Sequence, residues 1–134
     1  MTSTITAGTL KVTIRESITL KGKDQGSTTE LSITNINEIS SRIITVPTSE
    51  VEIIAISTAV SSGTFVEGNV RYIRITNLDD TNHVTLIFKD EDATEFAIKV
   101  DAGHSFIYPG DNSGGVVDTM HAGGSALTVS LNDL

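Results

Sequence analysis

Three histidines are the residues of this chain best suited to metal binding or acid–base catalysis, because imidazole titrates near neutral pH and ligates transition metals. His83, His104 and His121 fall in or beside turns by composition, and none has a second histidine at short metal-site spacing. Ser105 follows His104 directly, so in a strand the two side chains lie on opposite faces and cannot act as nucleophile and base. Neither a Gly-x-Ser-x-Gly elbow nor a Gly-rich phosphate loop is present. The sequence therefore predicts no catalytic residues, no enzyme activity and no cofactor.

Carboxylates clustered in turns are the second group with possible chemistry, since Ca²⁺ takes six to eight oxygen ligands. In an up-and-down series of strands the first and third turns share one end, which would bring together Asp79, Asp80 and Asp101. The acidic residues 90–92 would lie at the opposite end. The spacing of a calcium-binding EF-hand loop is missing, and ordinary solvated turns have the same composition. Solvated turns are therefore the favoured interpretation, with calcium as the alternative, and no metal ligand is predicted.

These turns separate four short strands within residues 71–108. Ile73 and Ile75 alternate with polar neighbours, which is the two-residue period of a half-buried strand. Asp- and Asn-rich turns follow, whose short side chains hydrogen-bond their own backbone. The same alternation recurs three times downstream, at Val84/Leu86/Phe88, Phe96/Ile98/Val100 and Phe106/Tyr108.

The rest of the chain continues this alternation. Residues 10–20 are apolar at every even position except Glu16, which predicts one long strand or two strands separated by a bulge near Glu16. Residues 21–29 follow as a hairpin loop. About eight to ten short strands with turns between them predict an all-β chain, an antiparallel and jelly-roll-like β-sandwich. Residues 1–8 are predicted as an N-terminal arm or edge strand, and residues 9–134 as a single β-sandwich domain.

Composition excludes several function classes. The 134 residues contain no cysteine, so neither a disulfide framework nor a thiolate metal site is expected. With 17 Asp and Glu against 9 Lys and Arg, the surface repels phosphate backbones, and no nucleic-acid partner is predicted. No apolar run approaches the length of a membrane span, and no apolar leader is visible, so no membrane partner is predicted either. Six aromatic residues without tryptophan count against a sugar-binding sandwich.

Several side chains are better explained by contact with another protein. If Ile73 and Ile75 face the core, Tyr72 and Arg74 face outward, and both residue types are enriched at interface hot spots. Three isoleucines also have the wrong parity for a simple two-layer sandwich. The predicted interface set is Tyr72, Arg74, Ile54, Ile56 and Ile87. The alternative is a scatter of single surface apolar residues, which folded proteins commonly have.

The segment from Arg71 to Pro109 resembles small structural proteins of tailed bacteriophages, particularly those of marine phages. The shared pattern is an Arg-Tyr-Ile-Arg-Ile-x-Asn strand at 71–77, an Asp/Asn turn at 78–83 and a Val-x-Leu strand at 84–86. An Ala-Gly turn at Ala102-Gly103 then precedes an aromatic strand. The resemblance covers about a third of the chain and includes no catalytic residues.

This resemblance implies a small β-sandwich virion protein that assembles with copies of itself, a trimer being one such arrangement. The expected function is capsid decoration or cement, in which the protein docks on the major capsid protein or other virion proteins and stabilises the shell. The implied location is the virion, after assembly in the host cytoplasm. Two alternatives stay open: a tail or fibre component with an adhesive role, and a small sugar-binding or hydrolytic β-sandwich module.

We expect the substitution Arg74→Glu to disrupt self-assembly while leaving the fold intact, because it reverses a charge on the predicted contact face. Light scattering would measure the assembly state, and circular dichroism would check the fold. Unchanged assembly would remove this strand face from the interface.

Overall fold

The computed structural model describes residues 6–57, 65–66, 69–90, 92, 94–108 and 126–131. The chain divides into two compact units, Met1–Ser41 and Arg42–Leu134. Residues 9–41, which the sequence groups with the sandwich, thus fall in the first unit. The domain boundaries themselves stay a prediction. His121 and Glu91 lie outside the described residues.

The first unit contains a long antiparallel β-hairpin. Its strands are β1 (Gly8–Glu16), β2 (Thr19–Leu20), β3 (Lys23–Asp24) and β4 (Ser27–Ile36). β1 pairs with β4, and β2 pairs with β3 next to the turn. Leu10 lies opposite Ile33, Glu16 opposite Ser27, and Thr19 opposite Asp24, so the offset between the strands stays the same towards the turn. Of the two sequence alternatives, two strands are present, because β1 ends at Glu16 and β2 begins at Thr19. No bulge separates them, and the register shift lies instead between Gly8 and Leu10.

Two residues close the hairpin. Lys21 and Gly22 both have positive φ angles, 52° and 78°. These angles are typical of the two-residue hairpin turn whose twist matches that of the flanking strands. The two strands approach each other closely at Gly26, where a Cβ atom would lie 2.1 Å from the carbonyl oxygen of Glu16. The loop predicted over residues 21–29 is therefore mostly strand, and only its first two residues turn.

The second unit contains seven strands in its described residues. They are β5 (Val51–Ser57), β6 (Phe65–Val66), β7 (Ile73–Thr76), β8 (Val84–Lys89), β9 (Glu95–Val100), β10 (Ser105–Tyr108) and β11 (Ala126–Leu131). Five of them form one sheet in the order β6-β5-β11-β8-β9, and β10 pairs with β7 in a second sheet. Pairing is antiparallel except between β5 and β6. The predicted all-β, sandwich-like fold is confirmed.

The four strands predicted within residues 71–108 are all present, as β7 to β10, but their pairing is not a simple up-and-down series. β8 and β9 form a hairpin, whereas β7 pairs with β10 from the far end of the series. The short Asp101–His104 connection therefore leads from one sheet to the other.

Phe88 lies at the centre of the core of the second unit and is fully buried. Its ring stacks on Phe96 of β9 at a centroid distance of 4.8 Å, and it meets Phe106 of β10 at 5.3 Å and a tilted angle. Leu86 and Leu127, both fully buried, extend the same cluster along β8 and β11. Aromatic contacts thus connect the five-stranded sheet to the β7–β10 pair.

The other face of β8 and β11 is also buried, and it is largely polar. Thr85 and Ser130 lie opposite each other, and both are almost completely inaccessible, as is Ile87 at 6% exposure. The hydroxyl groups of Thr85, Thr128 and Ser130 have no hydrogen-bond partner in the structure as described. Both faces of these central strands are therefore covered, as in strands flanked on two sides.

We expect Leu86→Ala to destabilise the protein by about 2–5 kcal/mol, because it removes a fully buried side chain and leaves a cavity. Urea denaturation followed by circular dichroism measures this free energy of unfolding. Leu78→Ala is the matched control, since Leu78 is 71% exposed and should change stability by no more than ~0.5 kcal/mol. Equal effects of the two substitutions would contradict the placement of the core.

Candidate interaction surfaces

The structure distributes the five predicted interface residues unevenly between core and surface. Ile56 is 2% exposed and belongs to the apolar core, and Ile87 is buried on the polar face of β8. Ile54 and Tyr72 are half-buried, and Arg74 is exposed. Ile56 and Ile87 therefore have little surface left to give to a second protein, while Arg74 has the most. That these five residues form one subunit contact stays a prediction.

Arg74 belongs to an exposed strand face in the second unit. On β10, Ile107 lies directly opposite Arg74, and it is 37% exposed. Next to them the hydroxyl groups of Thr76 and Ser105 lie 2.9 Å apart in a cross-strand hydrogen bond. The outer face of the β7–β10 pair thus combines a cation, an aliphatic side chain and hydroxyl groups, a composition suited to protein contact.

A buried amide connects the first and third turns of the β7–β10 segment. Asn77, 6% exposed, donates from its side chain to the backbone carbonyl groups of Asn82 and Val100. Its backbone N–H donates to the carbonyl of His104, and its own carbonyl accepts from Gly103. The prediction that these two turns share one end of the fold is confirmed, and the reason is this set of hydrogen bonds.

Asp79 organises the first of these turns through its carboxylate. One oxygen accepts hydrogen bonds from the backbone N–H groups of Thr81 and Asn82 at 2.7 and 2.9 Å. These bonds favour the ionised form, so the backbone of Asn82, then that of Thr81, lowers the pKa of Asp79 below its ordinary value of 3.8. The carboxylate thus acts as a turn cap. Among the described residues no group of three or more His, Cys, Asp or Glu side chains could hold a metal ion.

The two described histidines lie near this end of the fold. His104 is exposed, and its Nδ1 lies 3.0 Å from the carbonyl oxygen of Ala102 in the same turn. His83 is half-buried, and its Nε2 has no hydrogen-bond partner in the part of the chain that is described. Within the described ranges, neither of them forms an ion pair with a carboxylate.

A groove of about 290 Å³ lies between β9 and β10. Its apolar lining is Ile98 and Val100 from β9 and Phe106 from β10, and its polar lining is Lys99, Asp101, His104 and Ser105. Sequence reasoning missed this groove. The sequence predicts two alternating strands joined by a short turn. Nothing in that pattern indicates that the two strands belong to different sheets.

Exposed aliphatic side chains are the second feature that sequence reasoning missed. Ile18 and Leu20, at 54% and 59% exposure, have the same parity as the buried Val12 of β1. Ile39 and Ile43, each 85% exposed, follow near the boundary between the two units. Alternation shows that such residues share a face but not how far along the strand that face is covered.

Comparisons with known proteins leave the chain without an identified relative: no protein family, no curated protein and no solved structure matches it. Within the described residues, no helix is long and apolar enough to cross a membrane.

We expect Asp79→Ala to lower the thermal stability of the protein at pH 7, because two backbone N–H groups lose their acceptor. Since folding lowers the pKa of Asp79, its stabilising effect is present above pH 3.8 and is lost as the pH falls through the lower, folded-state pKa. Melting temperatures of wild type and variant should therefore differ at pH 7, and the difference should shrink progressively as the pH falls below 3.8.

Asp80→Ala is the control for this experiment, because Asp80 is exposed and one of its carboxylate oxygens accepts from the hydroxyl group of Thr81. It should change the melting temperature less than Asp79→Ala at neutral pH. A difference between wild type and Asp79→Ala that persists unchanged at low pH would show that the carboxylate is not the source of the stabilisation.

Proposed function

We propose that this chain is a non-enzymatic structural protein of a tailed-phage virion, a capsid decoration or cement protein that associates with itself and stabilises the shell. One observation carries the proposal: the first unit contains a two-stranded hairpin, Gly8–Ile36, whose apolar face is left exposed near the turn. A two-stranded ribbon is at best marginally stable in water on its own. Its open edges and exposed apolar residues favour pairing with another protein.

Two further features support a role in assembly. The outer face of the β7–β10 pair carries Arg74 and Ile107 side by side, a combination of charge and aliphatic surface. The strand that carries Arg74 is also the one whose Arg71–Asn77 sequence resembles phage structural proteins. Its partners would be further copies of this chain and the major capsid protein or other virion proteins.

The mechanism would be mechanical and would act through mass action. A protein that binds only the assembled shell stabilises it by RT ln(1 + [L]/Kd), which is about 2.7 kcal/mol per site when the free protein is at 100 times its Kd. A capsid repeats the same site many times, so modest contacts add up over the particle. Contact areas of about 800 Å² on each partner are typical of stable interfaces.

We expect the purified protein to form oligomers whose mean mass rises with concentration, because contacts of this kind follow mass action. Multi-angle light scattering over a hundredfold concentration range would measure this mass. A chain that stays monomeric up to millimolar concentration would contradict self-association.

Locating the protein in an electron-microscopy map of intact particles would test its place in the virion. Density on the outer surface of the shell supports decoration, and density in the tail would favour the adhesive alternative. Its absence from particles would contradict both.

A further inference from the structure

The apolar face of the hairpin changes from buried to exposed along its length. Leu10, Val12, Ile14, Ile18 and Leu20 share one parity, and the strands keep one offset from Leu10 to the turn, so these side chains follow one face. Val12 is 8% exposed, whereas Ile18 and Leu20 are 54% and 59% exposed. The stripe therefore continues about 13 Å, the spacing of four strand residues, from the half-buried Ile14 to Ile18, and about 7 Å further to Leu20.

We define residues 18–23 as the hairpin tip. Besides Ile18 and Leu20 it contains Lys21 and Lys23, on either side of Gly22. The carbonyl of Ile18 accepts a hydrogen bond from Gln25, and Leu20 pairs with Lys23, so backbone pairing continues up to the turn. The tip thus presents two aliphatic side chains and two ammonium groups on an ordered turn.

The groove between β9 and β10 has the complementary features. Among the described strands, β9 pairs only with β8, and β10 pairs only with β7, so each has one edge without a strand beside it. The groove, about 290 Å³, is formed by residues of these two strands and the turn between them, and its apolar lining is Ile98, Val100 and Phe106. Its volume suits two aliphatic side chains, and unpaired strand edges are where an added strand binds.

The opposite charges of the hairpin tip and of the second unit favour a second copy of this chain as the occupant. The first unit holds four of the nine Lys and Arg and four of the 17 Asp and Glu, so it is neutral, and the second unit carries the whole net charge of −8. Two lysines of the hairpin tip would therefore approach a strongly acidic unit. The groove itself has Asp101 and Lys99 in its lining, so the attraction comes from the unit as a whole.

We propose that the hairpin tip of one copy inserts Ile18 and Leu20 into the groove between β9 and β10 of a second copy; this deepens, and rests on, the proposed structural function. The contact joins two different surfaces, so it is heterologous. Such contacts close into rings when the rotation between copies permits and otherwise extend as open chains.

The first test removes the aliphatic side chains of the hairpin tip. In Ile18→Thr/Leu20→Thr the strand preference is retained and the apolar surface is reduced. We expect the dissociation constant of the oligomer, measured by sedimentation velocity, to rise at least tenfold, because burying about half of each side chain favours association. Circular dichroism would check that the variant keeps its strands.

Ile39→Thr/Ile43→Thr is the matched control, since these isoleucines are even more exposed but lie outside the hairpin tip. It should leave the dissociation constant within twofold of wild type. If the control weakens association and the tip variant does not, the contact lies elsewhere and the proposal is overturned.

The second test uses the heterologous geometry. Ser105→Lys places a long cation in the groove lining, where it should exclude the two lysines of the tip; Asp101→Lys serves if that variant does not fold. Alone, the tip variant and the groove variant should each associate at least tenfold more weakly than wild type. Mixed in equal amounts, they should form one-to-one dimers and nothing larger, because one intact tip meets one intact groove.

The outcomes separate this inference from the proposed function. A wild-type oligomer that the tip variant leaves intact, or a mixture that forms no dimer, overturns the tip-and-groove contact and leaves the structural function standing. A wild-type chain that is monomeric at every concentration and absent from virus particles removes both.

Discussion

The contact of Phe88 with Phe106 is the interaction on which the second unit depends. β7 and β10 pair with each other and with no strand of the five-stranded sheet, so no backbone ladder joins the two sheets in the described chain. Side-chain packing must connect them, and the ring of Phe88, fully buried, contacts Phe106 across that gap. Asn77 adds a polar connection at one end, since its amide donates to the carbonyl of Val100 in β9. Val100 and Phe106, which take part in these two contacts, also line the groove between β9 and β10.

Alternation of apolar residues was sufficient to place the four strands between residues 71 and 108, since each strand has one face in the core. It could not show that β7 pairs with β10, because pairing depends on tertiary contacts between residues about thirty positions apart. It also placed Ile56 and Ile87 outside the core. Parity groups side chains by face but does not reveal that both faces of a central strand are covered.

Buried hydroxyl groups show that alternation also fails to predict which polar residues are buried. Alternation predicts that Thr85 and Ser130 face solvent, yet they are among the most buried of the described residues. A hydroxyl group is small and costs less to bury than a charge, so a covered strand face can accept it. The turns were easier to predict. Asp79 and Asn77 bond to backbone groups within a few residues or across one neighbouring turn, and that chemistry is visible in residue type.

The two-residue turn at Lys21-Gly22 constrains how the hairpin can change in length. Since Lys21 and Gly22 alone close it, the two strands stay in step, with Leu20 opposite Lys23 and Val12 opposite Leu31. Inserting a single residue into one strand would bring the opposite set of side chains onto the apolar side. To keep the same side chains on the apolar face, a hairpin of this kind must gain or lose two residues on each strand at a time. Its length therefore changes in steps of about 7 Å.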